Sequence, residues 1–131
     1  MKSVYDAVKF LASLVPATRT ADGNGSAVDT QGYGSAVLTV SAGDIDTTSG
    51  DETYAFNVEE SADGSTGWAA ISGATVSVIA DNDVKLIRLE GLNMGSRKRY
   101  LRAVLDVGGT TPSIPCSAVF ALARAYNEPV N

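Results

Sequence analysis

Any chemistry in this chain must come from its carboxylates, its arginines and lysines, and one thiol. The 131 residues include no histidine. Without histidine there is no Ser-His-Asp or Cys-His relay, and zinc loses a principal ligand. Glu59 and Glu60 are the nearest approach to a paired-carboxylate glycosidase site. Adjacent in a strand, they point to opposite faces and cannot flank one bond. Asp22-Gly23-Asn24-Gly25 has the opening of a calcium loop but lacks the later carboxylates. Asp44, Asp46, Asp51 and Glu52 gather in one segment and offer a weak Ca²⁺ site. A solvated acidic loop that keeps a sheet edge soluble is the favoured reading. No G-x-x-x-x-G-K-S/T motif occurs, and Gly32-Tyr33-Gly34 is too short for dinucleotide binding. The single cysteine, Cys116, excludes an internal disulfide. Beside Pro115 and ahead of an apolar run, it reads as a buried structural thiol. The expectation is a non-enzyme with no cofactor and no bound metal.

The charge balance points away from phosphate ligands as well. The formal charge is −5, whereas nucleic-acid binding needs clustered Lys and Arg. Lys85, Arg88, Arg97, Lys98, Arg99 and Arg102 do fall in one stretch, opposite an acidic stretch from Asp44 to Asp63. Such a division is either an ordinary solvated surface or charge complementarity between neighbouring copies or assembly components. Arg102, in mid-strand, should either lie over the sheet or pair with Asp106 or Glu59. No run approaches the roughly 20 apolar residues of a membrane helix. Asp6 and Lys9 interrupt the N-terminal apolar residues, so neither a signal peptide nor a membrane partner is expected.

The elements that position these groups are strands. Tyr54, Phe56 and Val58 alternate with Ala55, Asn57 and Glu59, and Ser61, Asp63 and Gly64 supply a turn. Trp68, the only tryptophan, then returns apolar mass that is expected in the core. Ala36, Leu38 and Val40 share one face of a strand over 35–42. Ile87 and Leu89 do so over 84–92, and Leu101, Ala103, Leu105 and Val107 over 99–107. Residues 117–125 are almost wholly apolar and should be covered on both faces. Val4, Val8, Leu11 and Val15 recur at helical spacing, so residues 3–14 read as a helix or an extended arm that Pro16 ends. About eight short strands with Gly-rich turns predict an all-β fold: an antiparallel β-sandwich or small jelly-roll-like barrel. The expected organisation is an N-terminal arm or short helix over 1–15, a β-sandwich domain over 16–125 and a C-terminal tail over 126–131.

Several segments occur in a familiar order. Pro16-Ala17-Thr18-Arg19-Thr20-Ala21 leads to Asp22-Gly23-Asn24-Gly25 and Val28-Asp29. Gly32-Tyr33-Gly34-Ser35-Ala36, the Glu60–Ser65 turn with Trp68, and Lys98-Arg99-Tyr100-Leu101-Arg102-Ala103-Val104 follow. This order resembles the capsid cement or decoration proteins of tailed bacteriophages and prophages, small head proteins encoded near the major capsid gene. The resemblance spans roughly residues 16–107. It implies a β-sandwich on the outside of an icosahedral shell, located on the virion, with the major capsid protein and further copies of itself as partners. A homo-dimer or homo-trimer is the implied assembly. The segment 1–15 and the basic stretch are the first candidates for contacts, with Tyr5, Phe10, Arg97, Lys98 and Arg99 the named side chains. The Tyr54–Trp68 hairpin with Arg99-Tyr100-x-Arg102-x-Val104 is also similar to fibronectin type III-like domains. That alternative implies an adhesion or carbohydrate-binding module on a virion or cell surface.

Overall fold

The alternating apolar stretches become the inner faces of two sheets. The computed structural model describes residues 3–131. A single helical turn, α1 (Val4–Ala7), precedes β1 (Lys9–Arg19), β2 (Gly23–Asn24), β3 (Val28–Asp29) and β4 (Tyr33–Ala42). Then follow β5 (Thr53–Ser61), β6 (Ala69–Ser77), β7 (Val84–Glu90), β8 (Tyr100–Gly108) and β9 (Ile114–Ala125). One antiparallel sheet runs β1-β9-β4-β7. The other runs β2-β8-β5-β6, with β3 beside β2 on the edge of β8. The protein is an antiparallel β-sandwich. Phe56, Val58, Leu101, Ala103 and Leu105 from one sheet are sealed against Leu38, Val40, Ala118, Phe120 and Leu122 from the other. Each large apolar side chain buried this way contributes about 1.5–3 kcal/mol. β6 bulges where Gly73 takes φ 79 between the two halves of its register with β5.

The N-terminal segment differs from its expected form. Met1 and Lys2 of the expected arm lie outside the described residues. Ser3 caps α1 by accepting from Asp6 N, but the helix stops at Ala7 and residues 9–15 are the first part of β1. The boundary at 15 falls inside a strand of the sandwich, and Pro16 does not end it. Pro16 is tolerated because β1 is an edge strand, where a missing N–H costs no ladder bond. The register with β9 shifts twice, between Ala12 and Leu14 and between Leu14 and Ala17. The tail 126–131 is tied back to this segment: Val130 N donates to Asp6 O, and Asn131 Nδ2 donates to Tyr5 O and Val8 O.

The first bulge has a structural use. Along its outer edge β8 is paired by β3 at Tyr100–Leu101 and by β2 at Val104–Leu105, which leaves the backbone of Ala103 without a strand partner. The bulge turns the Ser13 side chain inward to fill that gap. Ser13 Oγ accepts from Ala103 N (2.9 Å) and donates to Ser26 O (2.8 Å). Ser26 N returns a bond to Ser13 O, and Gly25 N donates to Ala103 O, both at 2.7 Å. Buried backbone groups need such partners. A Cβ on Gly25 would collide with Ser13 Oγ and stand 2.7 Å from Ser13 O, so glycine is required there. Ser13→Ala should therefore destabilise the fold by about 1–3 kcal/mol, with Ala103 N left unpaired in the interior. Gly25→Ala should cost at least as much. Urea denaturation of the two variants checks both, and an unchanged midpoint for either would show that this clasp does not hold the sheets together.

Candidate functional site

Two surfaces and one end of the sandwich present groups for recognition. The first surface is the outer face of the β8-β5-β6 sheet. Glu59 and Arg102 are register partners on β5 and β8. Arg102 Nε donates to Glu59 Oε1 at 2.9 Å and Nη2 does so at 2.6 Å. The same guanidinium lies 4.3 Å from the ring centre of Trp68, a cation–π stack. Trp68 is thus not in the core. It precedes β6 and is only half-buried, because its ring lies over the outward Arg102 instead of following the inward set. Arg102 takes the Glu59 option foreseen from sequence.

Next to this stack, Arg99 grips Asp29 with two bonds, Nε to Oδ1 at 2.9 Å and Nη2 to Oδ2 at 2.7 Å. The Arg99 hydrogen bond is the main reason that the Asp29 carboxyl is held below its usual range. Arg99 also stands 5.0 Å from the centre of the Tyr100 ring. That ring packs beneath Gly64, where a Cβ would come within 3.0 Å of it. Gly64 belongs to the 61–66 turn, which Asp63 organises. Asp63 accepts from Thr66 N, Ser65 N, Thr66 Oγ1 and Ser61 Oγ. These bonds, led by the Thr66 amide, drive its pKa far below the ordinary carboxylate value.

The residues singled out from sequence share one end of the molecule. Arg99 O accepts from Thr30 N, Thr30 O accepts from Tyr33 N, and Tyr33 opens β4 opposite Ala125 at the close of β9. Lys9, at the start of β1, pairs with Leu122 on that same strand. Tyr5 on α1 and Phe10 on β1 are both well exposed there. Arg97 and Lys98 lie in the β7–β8 connection. Arg97 Nη1 stands 3.8 Å from Glu60 Oε1, close enough for charge attraction and too far for a hydrogen bond. Lys98 N donates to that same Glu60 oxygen. The basic stretch is not a field of free cations. Lys85, Arg88, Arg97, Arg99 and Arg102 each face a carboxylate of this chain: Asp83, Glu90, Glu60, Asp29 and Glu59.

The acidic loop is built in a similar way. Asp46 accepts from Thr48, Asp44 from Asn82 and Glu52 from Ser49 N. Asp51 holds the hydroxyl and amide of Thr110 across to the β8–β9 loop, which lowers its pKa to about 2. Tyr54 OH completes this end by donating to Asp46 O and accepting from Ser113 N. Asp46, Asp51 and Glu52 each hold a backbone N–H, and Asp44 holds the Asn82 side chain. Among the described residues no group of three or more His, Cys, Asp or Glu side chains converges as a metal site would require. Cys116 is buried, and desolvation pushes its thiol pKa up.

The second surface is one that sequence reasoning did not single out. It is the outer face of the β1-β9-β4-β7 sheet. In register across it lie Phe10, Ala121, Val37 and Arg88, and beneath them Ala12, Val119, Thr39 and Leu86. Residues 117–125 were expected to be covered on both faces. Their inward set is sealed, but Val119 and Ala121 lie on this outer face, only partly shielded by their neighbours. The available signal was the apolar outward set itself, Val37 between Ala36 and Leu38 and Val119 between Ala118 and Phe120. No helix of the described residues is long and apolar enough to cross a membrane. No family model and no curated protein matches this chain.

The Asp63 turn generates a pH dependence. Its folded pKa is depressed, so its ionised form stabilises the fold above the unfolded value of 3.8. That contribution falls away as pH drops below 3.8 toward the folded pKa. Asp63→Asn removes the titration. The stability difference between wild type and Asp63→Asn should stay constant above about pH 5 and shrink steadily in more acid solution. Guanidinium melts at successive pH values measure it, and a difference that does not change with pH would show that the charge on Asp63 contributes nothing.

Proposed function

We propose that this protein is a non-enzymatic structural component of a tailed-phage virion. In this reading it binds the outside of the capsid as an oligomer and bridges neighbouring capsid subunits. The observation that carries it is how the polar side chains are used. Charged groups that would otherwise form a binding field are paired within the chain, and the acidic loops are stapled into rigid turns. What stays exposed is an apolar sheet face and an end bearing Tyr5, Phe10 and Lys98. Such a frame suits holding a shape on a lattice, where many copies add weak contacts through multivalency. The order of segments that resembles cement proteins falls on the elements that build this frame. Shell contact is assigned to the Tyr5–Lys98 end. In the test, purified protein is mixed with the expanded heads of its own phage and pelleted. Saturable co-sedimentation is expected; protein left wholly in the supernatant overturns the proposal.

One observation favours the second reading, a fibronectin type III-like adhesion or carbohydrate-binding module. Trp68 lies at the surface with Arg102 and Glu59 beside it, an aromatic ring flanked by hydrogen-bonding groups. Sugar sites use such platforms. On that reading a glycan array should show binding that Trp68→Ala abolishes without lowering the melting temperature by more than a few degrees. An array with no binding, or binding that survives the substitution, removes this alternative.

A further inference from the structure

The outer face of the four-stranded sheet is unusually apolar for a surface in water. Four of the nine large apolar side chains exposed among the described residues lie on it: Phe10 59%, Val15 59%, Val84 58% and Leu86 61%. They stand on the two edge strands, β1 and β7. The middle strands present small or branched residues instead, Val37 and Thr39 on β4 and Val119 and Ala121 on β9. The face therefore has raised apolar edges and a shallower centre.

We propose that this face is the dimer interface of the protein, and that its occupant is the same face of a second copy. The two-fold axis lies between the sheets and runs close to the strand direction, between β9 and β4. Such an axis makes each cross-strand row meet itself reversed. In the first row Phe10 then faces the partner's Arg88, and Ala121 faces the partner's Val37. In the second row Leu86 faces the partner's Ala12, and Val119 faces the partner's Thr39. In the second row the large Leu86 meets the small Ala12, and in the first row the one cation meets an aromatic ring. In the third row, that of Ser41 and Ser117, Val84 comes over the partner's Val15–Pro16 bulge, which lies between the pairs Leu14–Ala118 and Ala17–Cys116. An axis perpendicular to the strands would instead set β7 on β7 and β1 on β1, and Phe10 would then lose Arg88 as its partner across the interface.

The area is adequate. Four strands about 4.8 Å apart, with about eight residues each rising about 3.4 Å, give a footprint of about 500 Å² per copy. Two copies bury about 1,000 Å² before the relief of the side chains is added, which meets the minimum of about 1,000 Å² for a biological interface. Face-to-face sheets also pack with their strands nearly aligned, the arrangement this axis provides.

The inference rests only on the self-association in the proposed function, not on the shell. Sedimentation equilibrium of the purified chain should give twice the chain mass at about 100 µM or below. Leu86→Glu should weaken the dimer by about tenfold or more, because it places a charge against the partner's Ala12. Ala12→Lys should do the same. The double variant, Leu86→Glu with Ala12→Lys, should restore association, since each new charge faces its opposite across the axis. Both positions are exposed, and circular dichroism confirms the fold of each variant. A monomeric wild type, a trimer, an undisturbed dimer in Leu86→Glu, or a double variant no better than the singles each overturns the inference. A dimer with these properties that fails to pellet with phage heads overturns the capsid reading alone.

Discussion

Strand register is the constraint on which the rest of this molecule depends. A one-residue slip in a strand turns its inner set outward, and the inner sets here supply nearly all the buried apolar mass. β8 shows the strictness of the arrangement. Leu101, Ala103 and Leu105 are sealed, while Tyr100, Arg102 and Val104 between them reach the outer face. Once Leu101 is in, Arg102 is out, and its partner across the sheet has to be Glu59. The Trp68 stack, the Asp29–Arg99 fork and the Tyr100–Gly64 contact all follow from that phase. On the other sheet, burying Phe120 and Leu38 forces Val119, Ala121 and Val37 onto the outside. The apolar outer face is thus imposed by the same alternation that makes the core.

Polar groups in this chain work mainly on backbone. Asp63, Asp51, Asp46 and Ser61 each satisfy N–H or hydroxyl groups in a turn, and Ser13 closes a gap in the edge ladder of β8. Exposed ion pairs contribute little to stability, about 0–1 kcal/mol each. The pairs on this surface matter more for what they remove. Arginines already facing carboxylates present less free charge to a ligand or to nucleic acid. What stays distinctive is shape: stiff turns at both ends and an apolar face between them.

Much of this was legible in the sequence wherever alternation was unbroken. Tyr54, Phe56 and Val58, like Leu101, Ala103 and Leu105, carry the period of a strand with one side buried, and both triplets are inward. The Asp63-Gly64 turn was legible because Asp and Gly have few other reasons to stand together between two strands. β1 was not legible, for a reason seen in its burial. Its bulge places Ser13 and Leu14 both inside, between exposed Ala12 and exposed Val15. Two inward residues in succession break the period of two, and Leu11 and Val15, on either side of the bulge, extend the helical spacing that Val4 and Val8 begin at α1. Trp68 misled for another reason. Size and apolarity predict burial only when the residue lies in phase with an inward set. Trp68 stands just before β6, where a cation on the next strand but one offered its ring a better partner than the core.

The candidate surfaces were less legible because they depend on residues far apart in the chain. Phe10, Ala121, Val37 and Arg88 come from four strands, and no local window contains two of them. The sequence does mark β9 as apolar on both faces, which is the pattern of a strand covered on both sides. The sandwich core covers one side only. A strand in the middle of a sheet with Val119 and Ala121 turned to water keeps an unspent hydrophobic contribution of about 25 cal/mol per Å². Folding of one chain cannot recover it, since every other element is already committed to the core, an edge or a turn. Association through that face recovers it, and the raised edges at Phe10 and Leu86 set how the two faces must align.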